Sequence, residues 1–257
     1  MLGLGLAGHT PMLELPAQDY NALVDAIVAR LAPAPATAPE GASAPLAATL
    51  ESTLLAPAAT PAEVDQLCAE AIRLGVAAVC VNPVHLARAV AALRSSAVRA
   101  SAASNFPLGA GLAATVMREA EDCLKLGADD LDLVTPTAAL KSGDDAGFLA
   151  VVSPVAAQAH ACGARVKAIL EMALLTRDEI ARGCELALAA GADFLKTGTG
   201  FGPRGVTVED VVLLRETLRG RARIKAAGGI RTRAQAEALL AAGASRLGTS
   251  SAALLLG

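Results

Sequence analysis

Residues 191–202 read GADFLKTGTGFG, and this stretch contains the repeating unit of the chain. A glycine of the kind that ends helices precedes a short apolar run, and a lysine follows that run directly before a glycine-rich turn. Lysine is seldom buried in a protein unless it is paired or has a function. The stretch therefore predicts a strand that ends at a functional residue, Lys196.

The same unit recurs along most of the chain. Segments with apolar residues at helical spacing separate eight strand-like runs, and most of these helical segments end at a glycine. The glycines are Gly75, Gly127, Gly163, Gly191 and Gly243. The strand-like runs are LESTLL (50–55), AAVCVN (77–82), VRASAASNF (98–106), DDLDLVT (129–135), ARVKAILE (164–171), ADFLKTG (192–198), RIKAAGG (223–229) and SRLGTSS (245–251). Eight such units in a little over 200 residues predict an α/β fold of the (β/α)8 TIM-barrel type, because an open doubly wound sheet usually has fewer units.

The N-terminal part of the chain differs from this pattern. We expect an extension over residues 1–48, with a helix at about 18–31 and an Ala/Pro-rich linker at about 32–45, ahead of a barrel domain at 49–257. The extension contains GLGLAG (3–8), which matches the dinucleotide-binding glycine pattern. No strand precedes it and no suitably spaced acid follows, so we predict no nucleotide site there.

Composition excludes several classes of partner. Apolar residues make up 54% of the 257 residues, and the net charge of −3 comes with no basic face or polybasic tract. No apolar run approaches the roughly 20 residues that span a bilayer, so we expect neither nucleic acid nor a membrane as partner. The five cysteines are scattered, which predicts free, buried thiols in a cytoplasmic protein, and the three histidines lack zinc-site spacing, which predicts no metal.

Three lysines occupy equivalent places in successive strands. Only five of the 22 cationic residues are lysines, yet Lys167, Lys196 and Lys225 follow one another at intervals of 29 residues. Lysine, unlike arginine, can become a neutral amine nucleophile when it is desolvated or lies beside another cation. Since Lys196 is the middle one, we expect it to lose its proton most readily, with the buried Asp132 as a proton-transfer partner. The alternative is that all three are ordinary lysines paired with acids.

The last two strand ends have the character of an anion site. AAGGIRT (226–232) and LGTSS (247–251) offer backbone N–H groups and hydroxyls in the loops that bind phosphate in many barrels. GFGPRG (200–205) also matches the dinucleotide pattern but lacks the acidic ribose ligand, so we interpret it as an anion-binding loop.

The order of these stretches resembles that of the 2-deoxy-D-ribose-5-phosphate aldolase family. The resemblance covers about residues 49–252 and is carried by AAVCVNP (77–83), NFPLGA (105–110), GADDLDLV (127–134), ALKSGD (139–144), GADFLKTGTGFG (191–202), IKAAGGIRT (224–232) and GASRLGTSS (243–251). It implies a cytoplasmic, cofactor-free class I aldolase, a lyase of deoxyribonucleotide catabolism and carbohydrate degradation. Such an enzyme reversibly cleaves 2-deoxy-D-ribose 5-phosphate to acetaldehyde and D-glyceraldehyde 3-phosphate. Whether the protein is a homo-oligomer stays open.

The resemblance also implies a role for each matching residue. Lys196 corresponds to the Schiff-base lysine, Lys225 to the lysine that promotes its deprotonation, and Asp132 to the acid/base partner. Lys167 and Thr199 correspond to residues that line the pocket. The phosphate-binding positions are Gly229, Gly248, Ser250 and Ser251.

Two departures from the family pattern leave other functions open. Glu51-Ser52-Thr53 stands where the family has an Asp-x-Thr triplet, and Gly198 stands where it has serine. The longer acid could move the contacts to substrate hydroxyls or loosen the pair of Asp132 with Lys225. One alternative is therefore a Schiff-base aldolase of different aldehyde specificity, which a substrate panel would reveal. The other is a non-catalytic barrel that binds a phosphorylated ligand and forms no carbonyl adduct.

Overall fold

The computed structural model of the protein describes residues 45–257. The expected helix at about 18–31, the GLGLAG stretch and all but the last residue of the expected linker lie outside the described residues. Within them, no helix combines the length and the apolar character that crossing a bilayer requires.

Eight parallel strands close into a barrel in chain order, which confirms the predicted (β/α)8 fold. Each strand lies within one of the eight predicted runs and pairs with its neighbours in sequence, and the last strand pairs with the first. The strands are β1 (Leu50–Leu54), β2 (Ala78–Val81), β3 (Arg99–Ser104), β4 (Asp130–Val134), β5 (Arg165–Ile169), β6 (Phe194–Lys196), β7 (Arg223–Ala227) and β8 (Arg246–Thr249).

Helices surround the barrel, and their ends follow local sequence signals. They are α1 (Pro61–Leu74), α2 (Pro83–Leu93), α3 (Ala113–Lys125), α4 (Thr137–Ser142), α5 (Asp145–Ala161), α6 (Arg177–Ala189), α7 (Val208–Leu218), α8 (Arg233–Ala242) and α9 (Ala252–Leu256), with short 3-10 turns at Leu46–Thr49 and Met172–Leu174. Helices α1, α6, α7 and α8 each begin with a threonine capping box, which satisfies free backbone N–H groups. The five expected glycines all have positive φ, and this left-handed geometry turns the chain into the next strand.

The strand register corrects one detail of the sequence interpretation. Lys196 lies directly opposite Lys225 in the pairing of β6 with β7. Lys167 instead lies opposite Phe194, two residues before Lys196. Equal spacing in sequence therefore does not place the three lysines in one row, because the strands of a closed barrel are staggered.

The cysteines show a second difference. Cys68, Cys80, Cys123 and Cys184 are free and buried as expected, but Cys162 is exposed. Cys162 is the C-cap residue of α5, so it lies in a surface turn and not on the face that packs against the barrel.

Candidate active site

Five charged side chains meet inside the barrel, and we call them the charged cluster: Glu51 of β1, Asp132 of β4, Lys167 of β5, Lys196 of β6 and Lys225 of β7. Each is at most 1% exposed. Buried charges of this kind persist in proteins only when they are paired and hydrogen-bonded. Hydrogen bonds and ion pairs among the five side chains provide this pairing.

Asp132 contacts all three lysines. Its Oδ2 accepts hydrogen bonds from Lys196 Nζ at 2.7 Å and from Lys225 Nζ at 2.6 Å. Its Oδ1 accepts from Ser101 Oγ at 2.9 Å and lies 3.2 Å from Lys167 Nζ. One carboxylate oxygen therefore links the two lysines that are opposite each other in the sheet.

Glu51 contacts two of the three lysines, Lys167 and Lys225. Its Oε2 accepts from Lys167 Nζ at 2.8 Å and also from Lys225 Nζ. The structure retains the contact between Asp132 and Lys225 at 2.6 Å, so the longer acid at position 51 does not separate that pair. Lys167 additionally lies 3.0 Å from Asp130, a residue that Arg165 also contacts.

These contacts fix the charge states of the buried groups. Burial raises the pKa of Asp132, but the charges of the three lysines outweigh burial and hold that pKa well below its usual value. The same balance, with Lys167 and Lys225 as the cations, lowers the pKa of Glu51. Burial lowers the pKa of Lys167 and of Lys225, but Asp132 and Glu51 outweigh it and raise both values. Lys167 and Lys225 are therefore firmly cationic.

A cavity of about 390 Å³ opens at the C-terminal end of the barrel. Among the residues expected to form the site, Lys196, Thr199, Gly229, Gly248 and Ser250 line it. Asp132, Lys167 and Lys225 do not belong to its wall and are fully buried in the barrel interior. Lys167, which the resemblance placed at the pocket, is fully buried within the charged cluster.

The two glycine- and serine-rich loops form one side of this cavity. Within residues 45–257, the backbone N–H groups of Gly229 and Ser250 donate to no protein acceptor, whereas Ser251 N donates to Thr249 Oγ1 at 2.9 Å. A side chain at position 248 would crowd the charged cluster, because a Cβ at Gly248 would lie 3.2 Å from Lys225 Cε. Ser251 is not part of the wall, and its N–H already has a partner.

Sequence reasoning missed Glu171, which contacts the loop after β6 and through it a residue of the cavity wall, Thr199. Glu171 follows β5, is 6% exposed, and has a left-handed backbone with φ 55° and ψ 56°. Its Oε2 accepts from Thr199 N at 3.1 Å and from the Thr199 hydroxyl. No sequence signal separates this acid from an ordinary strand-end residue, because both its conformation and its partner depend on the tertiary fold.

Comparisons with known proteins agree with the fold and identify the family. The DeoC/LacD family aldolase model matches residues 48–252. The deoxyribose-phosphate aldolase of Thermococcus gammatolerans is 46% identical over 194 residues, which are 75% of this chain and 86% of the relative. The enzyme of the same name from Micrococcus luteus is 44% identical over 202 residues, which are 76% of this chain and 88% of the relative. A solved structure described as a tetrameric deoxyribose phosphate aldolase from Aeropyrum pernix has a TM-score of 0.77 at 32% identity, covering 82% of this chain and 89% of that one. The chain therefore belongs to the DeoC/LacD family of aldolases and is a lyase of the aldolase type.

Proposed function

We propose that this protein reversibly cleaves 2-deoxy-D-ribose 5-phosphate to acetaldehyde and D-glyceraldehyde 3-phosphate through a Schiff base on Lys196. The observation that carries the proposal is the position of one amine. Of the three strand lysines, all within the described range, Lys196 alone lines the cavity, and its Nζ shares an Asp132 oxygen with the buried Lys225. The names of the relatives support the choice of substrate.

Nucleophilic attack requires the neutral form of a lysine amine, and we assign this form to Lys196. Glu51 and Asp132 hold Lys167 and Lys225 as cations. Lys196 pairs with Asp132 and, within the described residues, with no second carboxylate.

The reaction then proceeds through an imine. The neutral Nζ of Lys196 attacks the C1 aldehyde carbon of the open-chain sugar, and loss of water from the carbinolamine gives a protonated imine. A base removes the proton from the C3 hydroxyl, the bond between C2 and C3 breaks, and its electron pair moves into the imine to form an enamine. Glyceraldehyde 3-phosphate leaves, the enamine is protonated at carbon, and water hydrolyses the imine to release acetaldehyde. Asp132, Lys225 and a bound water are the groups we assign to these proton transfers.

The phosphate end of the substrate is assigned to the loops after β7 and β8. The free N–H groups of Gly229 and Ser250, together with the Ser250 side chain, offer donors to phosphate oxygens. Gly248 belongs to the same wall, whereas Ser251 lies outside it and its N–H donates to Thr249 Oγ1. Lys167 acts from the barrel interior by holding Glu51 and Asp132 in place.

We assign this reaction to deoxyribonucleotide catabolism and carbohydrate degradation in the cytoplasm, as the family resemblance implies.

We also propose a homo-oligomer, because the chain exposes apolar side chains at Val84, Leu108 and Leu112 and the relative from Aeropyrum pernix is described as tetrameric. Analytical ultracentrifugation tests this directly, and a monomer at micromolar concentration would contradict it.

The substrate assignment is tested by a cleavage assay. Purified protein is incubated with deoxyribose 5-phosphate, and acetaldehyde is measured by its enzymatic reduction with NADH. We expect acetaldehyde from the wild type and none from Lys196→Arg, which keeps the positive charge but has no usable amine. Cleavage of other aldol substrates in place of deoxyribose 5-phosphate would establish the alternative specificity, and cleavage of none would favour the non-catalytic barrel.

A further inference from the structure

Glu171 has two unfavourable properties at one position. It has a left-handed backbone, which is uncommon for a residue with a side chain, and it buries a carboxylate to 6% exposure. Strained backbone that persists beside a functional cavity often has a positioning role. The partners of this carboxylate indicate what it positions.

The carboxylate binds the loop that follows Lys196. Oε2 accepts from both the backbone N–H and the hydroxyl of Thr199, and Thr199 Oγ1 in turn accepts from Phe201 N at 3.0 Å. The hydroxyl hydrogen of Thr199 is therefore used by Glu171. Thr199 lines the cavity, and its Oγ1 keeps one lone pair, so it offers an acceptor that suits a substrate hydroxyl and not a phosphate oxygen.

The space for this carboxylate is provided by glycines of the same loop. A Cβ at Gly198 would lie 2.7 Å from Glu171 Oε1, and one at Gly202 would lie 2.8 Å from it. Both distances are too short for a real contact. With any side chain at position 198, either the carboxylate or the loop has to move.

We propose that Glu171 is a positioning residue for the aldolase site and that Gly198 is its spatial partner, so that together they fix the orientation and hydrogen-bond polarity of Thr199 at the cavity wall. The proposal rests on the proposed function. It also gives a spatial reason for a glycine at position 198 in this chain. Glu171 itself is not assigned to proton transfer.

A double-mutant cycle tests this coupling. Glu171→Ala removes the carboxylate, and Gly198→Ser places a side chain where the carboxylate lies. Each is expected to raise KM for deoxyribose 5-phosphate by about tenfold or more while kcat stays within about threefold, since Lys196 and Asp132 are untouched. The double variant is expected to show no further increase over Glu171→Ala, because the serine then fills space the carboxylate has left.

Glu119→Ala is the matched control. The Glu119 carboxylate also accepts from one backbone N–H and one hydroxyl, those of Asn105 and Ser104, both at 2.7 Å. The loop it binds follows β3, and neither Ser104 nor Asn105 lines the cavity. This control is expected to keep KM within about twofold.

Hydrogen exchange gives a readout that needs no activity. Peptides covering residues 197–202 are expected to exchange faster in Glu171→Ala and in Gly198→Ser than in the wild type, and no faster in Glu119→Ala. Independent, multiplying KM effects in the double variant would overturn the pairing. So would unchanged exchange in both single variants, or a fall in kcat at constant KM, which would place Glu171 in proton transfer. A wild type that cleaves no substrate but shows the expected exchange pattern would refute the proposed function and retain the coupling.

Discussion

At the scale of single residues, surroundings distinguish three chemically identical lysines. Lys167 and Lys225 are enclosed by Glu51 and Asp132, whereas Lys196 shares one oxygen with Lys225 and forms part of the cavity wall. From the sequence, Lys196 is the candidate nucleophile because it is the middle of three evenly spaced lysines. The structure supports the same candidate for a different reason. Lys196 lines the cavity and the other two lysines do not, whereas the even spacing does not put the three in one row.

The charge of Lys225 predicts the effect of removing it. Lys225→Leu removes the cation that shares Asp132 Oδ2 with Lys196, so a second positive charge at that oxygen is no longer opposed. We expect the alkaline rise in kcat/KM to move upward by about one pH unit or more, which corresponds to about 1.4 kcal/mol. The measurement is the pH profile of cleavage.

Lys141→Leu is the control for this profile, because Lys141 is exposed and pairs with Glu179 away from the cluster. It should leave the profile unchanged. Low activity at every pH in Lys225→Leu would mean that the loss of proton transfer by Lys225, and not the loss of its charge beside Lys196, limits the reaction.

At the scale of elements, the βα unit could be predicted and its long-range partners could not. Strands and helix-ending glycines depend on local sequence patterns. All eight strands and the positive φ of Gly75 and Gly243 could therefore be predicted from the sequence. The contact of Lys167 with Glu51 joins residues 116 positions apart, and the left-handed Glu171 has no local signature. Such features depend on which strands become neighbours and with what stagger.

The loops after β7 and β8 carry the second prediction. Ser250 is exposed and lines the cavity, so Ser250→Glu would place a carboxylate beside the incoming phosphate. We expect KM for deoxyribose 5-phosphate to rise by about tenfold or more, with little change for unphosphorylated deoxyribose. Steady-state kinetics on the two substrates provides the comparison, and an equal loss on both would remove the phosphate assignment from these loops.

At the scale of the whole molecule, the charged cluster joins β1, β4, β5, β6 and β7 across the barrel interior. The ionised form of Glu51 is favoured by folding, since its pKa falls below 4.5, and so is that of Asp132, whose pKa falls below 3.8. Groups of this kind contribute stability above their unfolded pKa and lose it as the pH falls through the folded pKa. Lys167 and Lys225 have pKa values in the folded protein that are raised above 10.5. Their contribution to stability is therefore complete below pH 10.5 and is lost as the pH rises through their folded-state pKa values.

Glu51→Gln tests this linkage. At pH 7 the variant leaves Lys167 and Lys225 with less negative charge, and we expect the free energy of unfolding to fall by about 3 kcal/mol. As the pH falls below 4.5 the wild-type carboxylate loses its own advantage, so the difference between the two proteins should shrink. Urea unfolding at a series of pH values measures it, and a difference that stays constant from pH 7 to the acid limit of folding would contradict the assigned charge states.

The central claim, that Lys196 is the nucleophile, is tested most directly by chemical trapping. Wild-type protein is incubated with acetaldehyde, the imine is reduced with borohydride, and the two-carbon adduct is located by peptide mapping. The adduct should lie on Lys196 and be absent from Lys167 and Lys225, because Lys196 is the one of these three that lines the cavity, whereas the other two are held as buried cations. Lys196→Arg should fold normally and take up no label. An adduct on Lys167 or Lys225, or no adduct on a folded wild type, would contradict the account.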